Sequence, residues 1–220
     1  MKAAILAVCD ARFIDISHEI PPFDVKAASF VLWAGTQNFP AGTIHLAVVD
    51  PGVGGVRRPL AIQADGNYFV GPDNGIFSLV VRRARHLAAV ELPRPASVSA
   101  TFEGRDIFAP AVGSLGRGQA LVELGRRVED LVELRDPGPS VVWVDNFGNL
   151  VTNIPPPVGR LRVGQTVVEV SARTYAEAPP GVPFWYAGSL GLVEIGVRQG
   201  RADEVLKAGV GTPIEELPGA

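Results

Sequence analysis

Four residues, Asp136-Pro137-Gly138-Pro139, separate two stretches of this chain that follow different periodicities. Two prolines and a glycine in close succession interrupt any helix or strand. Ahead of them, apolar runs alternate with helix-like segments. Residues 3–9 read as the end of a helix and 12–16 as a short strand. Asp24 is the expected N-cap of a helix whose apolar face carries Val25, Ala28, Val31 and Leu32. Residues 43–49 are strand-like and stop at the turn signal Asp50-Pro51-Gly52. Residues 60–64 and 68–70 pair as strands around Asp65-Gly66; 74–83 and 106–115 read as helices, and 86–92 as a strand. This alternation predicts an α/β domain over residues 1–137 with a largely parallel sheet. Beyond the breaker, short strands at 141–144, 167–170, 183–186 and 192–197 predict a small all-β, barrel-like domain over residues 138–220.

Composition removes several classes of function. Of 220 residues, 47% are hydrophobic and 20% charged, enough apolar material for a full core. The net charge is −3 and no Lys/Arg run exceeds two residues, so neither nucleic acid nor an anionic membrane is an expected partner. A single cysteine, Cys9, rules out a disulfide framework, and His18, His45 and His86 have no metal-ligand spacing. The apolar run 3–9 is far shorter than the ~20 residues of a membrane span. A soluble, cytoplasmic protein without a metal is expected.

A few polar residues stand out from this background. Asp50 lies just past the end of a predicted strand, where open α/β sheets place their ligands. Arg57, seven residues on, is positioned to return and pair with it. No Lys-Ser/Thr follows the glycines at 52, 54 and 55, which removes a phosphate loop. Asp106 is explained as a first-turn carboxylate of a helix. Glu103, before that helix, has no such explanation beyond an exposed surface position. Asp145, Asn149 and Phe147 open the second domain, with Asn153 close behind; such a set marks a turn and equally suits a purine edge and an amine. Gly188-Ser189-Leu190-Gly191 is not a hydrolase nucleophile elbow, because Ala187 replaces the first glycine. His18-Glu19 lacks the second His of a zinc pair, and its proline-stiffened loop carries Phe23.

Taken in order, IDISHEIPPFDV, AVVDPGVGGVRR, GPDNGIF, TFEGRDIFAPAV, VDNFGNLVTNI and GSLGLVEI resemble the S-adenosylmethionine hydroxide adenosyltransferases. These are adenosine-forming hydrolases related to the fluorinases and chlorinases, and the resemblance covers about residues 1–200. It implies an α/β domain joined to a small β domain, and a homotrimer. Active sites would lie where one subunit's first domain meets its neighbour's second. By the same resemblance, Asp50 and Arg57 belong to a water-activating Asp–Arg–His set. Phe23 and Phe102 wall the ribose and the reacting carbon. Asp145 holds the methionine amine, Asn149 the adenine or amine edge, Tyr175 stacks on adenine, and Ser189 grips the methionine carboxylate. No cofactor is implied; S-adenosylmethionine is itself the substrate.

Three positions depart from that pattern. Glu103 stands where the family's TFHGRD has His. The chain starts after the family's Thr-Asp-Phe-Gly strand, so either the start lies upstream or that strand is absent. Val53 and Gly104 stand where halogenating relatives place hydroxyls, so no halide chemistry is expected, since a dehydrated halide needs replacement donors. The expected reaction is hydrolysis at C5′, with Asp50 and Arg57 placing the water and Glu103 as substitute base. Two neighbouring carboxylates sharing one arginine titrate as a pair, which makes that pair the expected proton acceptor. Glu103→His is expected to retain activity. The alternative is a non-catalytic S-adenosylmethionine or adenosine-binding protein.

Overall fold

The computed structural model describes residues 1–95, 99, 101–156 and 158–218. They fall into two compact units, Met1–Leu134 and Arg135–Ala220. The first contains α1 (Lys2–Leu6), α2 (Val25–Thr36), β1 (Ile44–Leu46), β2 (Pro59–Ala64), β3 (Asn67–Pro72), α3 (Ser78–Arg83), β4 (Leu87–Glu91), α4 (Ala109–Gly116) and β5 (Arg126–Val128). Asp24 caps α2 by accepting from the Ala27 N–H at 2.9 Å. The helix buries Ala28 and Leu32 as its periodicity requires, and Phe30 and Trp33 as well.

The sheet order is β1-β3-β2-β4-β5. Only β1 and β3 run parallel; β2–β3, β2–β4 and β4–β5 are antiparallel. The expectation of a largely parallel sheet is therefore corrected. Parallel neighbours need a long crossover, usually a helix, whereas β2 and β3 are joined by the two-residue turn Asp65-Gly66. Its φ values of 45° and 88° are those of the hairpin turn that matches strand twist. Residues 12–16 form no strand. Ile14 is exposed, and the segment is held instead by Lys2 Nζ donating to Asp15 at 2.6 Å. The core gathers Ala61 and Val70 from the middle of the sheet, Ile5 from α1, and Ile107 and Phe108 from the turn before α4.

Two buried polar groups here carry stability predictions. His45 on β1 is wedged between Phe39 and Phe69, with ring centroids 5.2 and 4.9 Å away. Burial pushes its imidazole down to about 4. The unfolded chain binds a proton near the ordinary value while the folded chain does not, so stability falls as pH drops from about 6.5 towards 4. His45→Phe should flatten that window, by up to about 1 kcal/mol per pH unit after solvent screening, in urea titrations across pH. Asp73, 3% exposed, accepts from Arg58 Nε at 2.8 Å and from the Val132 N–H at 2.9 Å. Asp73→Ala strands that amide and one face of the guanidinium, and is expected to cost about 3 kcal/mol in denaturant unfolding.

The second unit contains β6 (Val141–Val144), β7 (Leu150–Thr152), β8 (Arg160–Val163), β9 (Thr166–Val168), β10 (Val170–Ser171), β11 (Pro183–Ala187), β12 (Val193–Val197), α5 (Ala202–Leu206) and β13 (Ile214–Leu217). It is a β unit, as expected, but not a closed barrel. Its strands form a five-stranded sheet, β10-β11-β12-β7-β6, and a three-stranded one, β13-β8-β9. The chain passes from one sheet to the other at Glu169, between β9 and β10. Ser140 and Pro213 make an isolated bridge where the sheets approach each other. Leu150, Leu161, Val163, Val193 and Ile195 fill the space between them. No helix among the described residues is long and apolar enough to cross a membrane.

Candidate functional site

Asp50 follows the C-terminal end of β1, and the preceding residue is pinned: Asn74 Nδ2 donates to the Val49 carbonyl at 2.9 Å. The chain then reverses. Val53 N–H reaches back to Asp50 O and Gly55 N–H to Gly52 O, with Gly54 at a φ of 74° that other residues rarely adopt. This brings Arg57 over Asp50. Arg57 Nε donates to Asp50 Oδ1 at 3.1 Å, and Nη2 closes the second arm on Oδ2. The next residue points the other way, as successive side chains on an extended segment do, so Arg58 serves Asp73 and Asp130 instead.

Glu103 enters from a different element. It precedes a single π-helical turn, Gly104–Phe108, whose Ala109 N–H donates to Gly104 O. Pro110, at the start of α4, has no N–H to offer, and the wider turn bridges into that helix. The turn sends Ile107 and Phe108 into the core and leaves Arg105 and Asp106 outside, paired with each other at 2.5 Å. Glu103 faces inward and is 2% exposed, so the surface reading of this residue is removed. Its Oε2 makes an ion-pair contact with Arg57 Nη2. Arg57 thus sits between two carboxylates, with its guanidinium carbon 5.5 Å from the Phe108 ring centroid. A planar, forked cation fills such a place; an ammonium would not.

Arg94 completes the cluster and carried no motif. Its Nε donates to Glu103 Oε1 at 3.0 Å, and its Nη2 donates to the Arg57 carbonyl. Two cations and two carboxylates therefore balance in a largely buried group. One donor is left over: Arg57 Nη1 is buried with no hydrogen-bond partner among the described residues. Phe23 and Phe102, also in this unit, are 77% and 57% exposed. Phe23 holds a φ of 70°, a strained conformation for an aromatic residue. Phe102 carries the Arg105 guanidinium 4.8 Å from its ring centroid.

In the second unit, Asp145, Asn149 and Tyr175 are joined in one polar chain. Asp145 accepts from the Phe147 and Asn149 amides at 2.9 and 2.8 Å and from Asn149 Nδ2 at 2.8 Å. Tyr175 donates to Asn149 Oδ1 at 2.6 Å. Its hydroxyl lies 3.1 Å from that of Tyr186, which donates to Glu194 Oε2 at 2.6 Å. Burial raises both phenols above their ordinary value, and for Tyr186 the bond to Glu194 adds to the effect. Both remain donors through the neutral range. Ser189 lies outside this chain, exposed in the turn between β11 and β12. Asn153 is a structural tie, accepting from the Ser140 N–H and donating to Gly138 O.

Of the residues singled out from sequence, Asp50 and Glu103 both contact Arg57, and Asp145, Asn149 and Tyr175 share one network, while Phe23, Phe102 and Ser189 belong to neither group. Asn74 sits within GPDNGIF but had no role assigned. Tyr186 and Glu194 had none either, and Arg94 offered only its place between two prolines. No group of His, Cys, Asp and Glu that would hold a metal ion occurs among the described residues.

Comparison with known proteins places these groups in context. The chain matches the SAM hydroxide adenosyltransferase N-terminal domain over residues 1–125 and the corresponding C-terminal domain over 139–215. An (R)-S-adenosyl-L-methionine hydrolase of Thermus thermophilus is 39% identical, over 93% of this chain and 87% of its own. One from Salinispora arenicola is 39% identical, over 94% and 85%. The crystal structure of an uncharacterized conserved protein from Thermotoga maritima superposes with a TM-score of 0.89 at 34% identity, covering 97% of this chain and 92% of that one.

Proposed function

Because the chain belongs to the S-adenosylmethionine hydroxide adenosyltransferase family, we propose that it hydrolyses S-adenosylmethionine to adenosine and methionine. Its curated relatives are named for the (R) sulfonium epimer, and we assign the same epimer to this chain. The oxygen of a water attacks C5′, the C5′–sulfur bond breaks, and its electron pair neutralises the sulfonium. The water proton passes to a carboxylate and then to solvent. The substrate brings its own good leaving group, so the protein's task is to place and deprotonate one water.

The observation that carries this reading is the pairing of a buried, unpartnered donor, Arg57 Nη1, with two carboxylates on the same guanidinium. That donor suits the water oxygen, holding it in place and stabilising the hydroxide character it takes on as its proton leaves. Asp50 and Glu103 are the proton acceptors at hand. Around them, Phe23 and Phe102 wall the ribose. Asp145 takes the methionine amine, Asn149 the adenine or amine edge, Tyr175 the adenine face and Ser189 the methionine carboxylate. Val53 and Gly104 bring no hydroxyl for a halide, so water is the nucleophile.

The exposed aromatics Phe23, Phe102 and Phe147 suit burial against another copy of the chain, and the assembly we assign is a homotrimer. In it, one subunit's first unit meets its neighbour's second, in the cytoplasm. A monomer in sedimentation equilibrium at micromolar concentration would exclude that assembly. The activity itself is tested by incubating the protein with each sulfonium epimer and resolving products by chromatography. Equimolar adenosine and methionine from the (R) epimer are expected. Binding without release of either product would leave the non-catalytic alternative.

A further inference from the structure

We propose that Arg94 is a positioning residue required by the carboxylate at position 103, so that Arg94 and Glu103 operate as a couplet in place of a single imidazole. This rests on the hydrolase reading above. Arg94 touches two members of the reacting cluster at once, Glu103 through Nε at 3.0 Å and the Arg57 backbone through Nη2. It therefore ties the end of the Asp50–Arg57 loop to the start of the π turn, two segments remote in sequence. Its own backbone is stiffened by Pro93 and Pro95, the second of which disfavours helical conformation at Arg94.

The charge count shows why position 103 depends on it. Asp50, Arg57, Glu103 and Arg94 sum to zero formal charge. The Glu103 carboxylate is almost fully buried beside Asp50's, and Arg57 alone would face both anions. Arg94 offsets the second charge and occupies Oε1, which leaves Oε2 turned towards Arg57. A neutral imidazole at 103 has one acceptor nitrogen and cannot accept from Arg57 and Arg94 together as the two carboxylate oxygens do, and once protonated it is repelled by both. The expectation that Glu103→His alone retains activity is accordingly revised.

The test compares Arg94→Gln and Arg94→Lys with the wild type, and then places Arg94→Gln in the Glu103→His background, with the full chain and steady-state release of adenosine. Arg94→Gln should lower kcat about 10- to 100-fold through misplacement of Glu103 while KM stays within about threefold. Lys, which keeps the charge but not the fork, should restore part of the loss. With His at 103 the sign should reverse: Arg94→Gln should raise kcat over Glu103→His alone. Unchanged kcat in Arg94→Gln, a loss matched by an equal rise in KM, or a loss of the same size with His at 103 would each overturn the proposal with the hydrolase reading intact. Absence of adenosine release from wild type with either epimer would instead overturn the hydrolase reading, and this proposal with it.

Discussion

Asp50→Asn is expected to reduce kcat for adenosine release by about 10²- to 10⁴-fold, the usual contribution of a positioned acid or base. The substitution keeps the size of the side chain but removes a proton acceptor and a negative charge. It also sets an amide N–H₂ against Arg57 Nη2 if the carboxamide keeps its other oxygen on Nε, so one of the two present bonds is lost. Arg57 Nη2 is then held by Glu103 alone, and the free donor, Nη1, is no longer aimed by a two-armed clamp. Since substrate binding is assigned to other side chains, KM should move far less than kcat. Chromatographic assay under saturating substrate reads the difference directly. Retention of kcat within about twofold would remove Asp50 from the reacting set.

Tyr175→Ala should weaken adenosine binding by about 1–3 kcal/mol, the range found when a base loses an aromatic partner. The ring is 39% exposed, which leaves a face available, while its hydroxyl is anchored to Asn149 and its other side packs edge-on against Phe184 with centroids 5.1 Å apart. Tyr175→Phe keeps the face and loses the anchor, so its effect should be nearer 1 kcal/mol. Isothermal calorimetry with adenosine separates the two. Because both phenols of the network are held protonated by burial, adenosine affinity should show no dependence on their ionisation between about pH 6 and 9. Equal affinities for wild type and Tyr175→Ala would show that the adenine lies elsewhere.

Features written in a few neighbouring residues were legible before any fold was known. Asp24 caps a helix because a short carboxylate before an apolar periodic run meets free N–H groups. Asp65-Gly66 makes a hairpin because both residues accept positive φ. Arg57 returns to Asp50 because a glycine-rich stretch of that length can reverse. Strand direction was not legible in this way. It depends on which distant strand receives each edge, and alternating segments are common to parallel and mixed sheets. The same holds for β9 and β10, adjacent in sequence yet members of different sheets. Burial of Glu103 required the π turn, the Phe108 ring and an arginine from another loop to converge, and none of these leaves a local pattern at position 103. Arg94 is the clearest case. Between two prolines it reads as any surface arginine, and its partners emerge only when β4 and the π turn bring Glu103 and the Arg57 carbonyl within reach of one guanidinium.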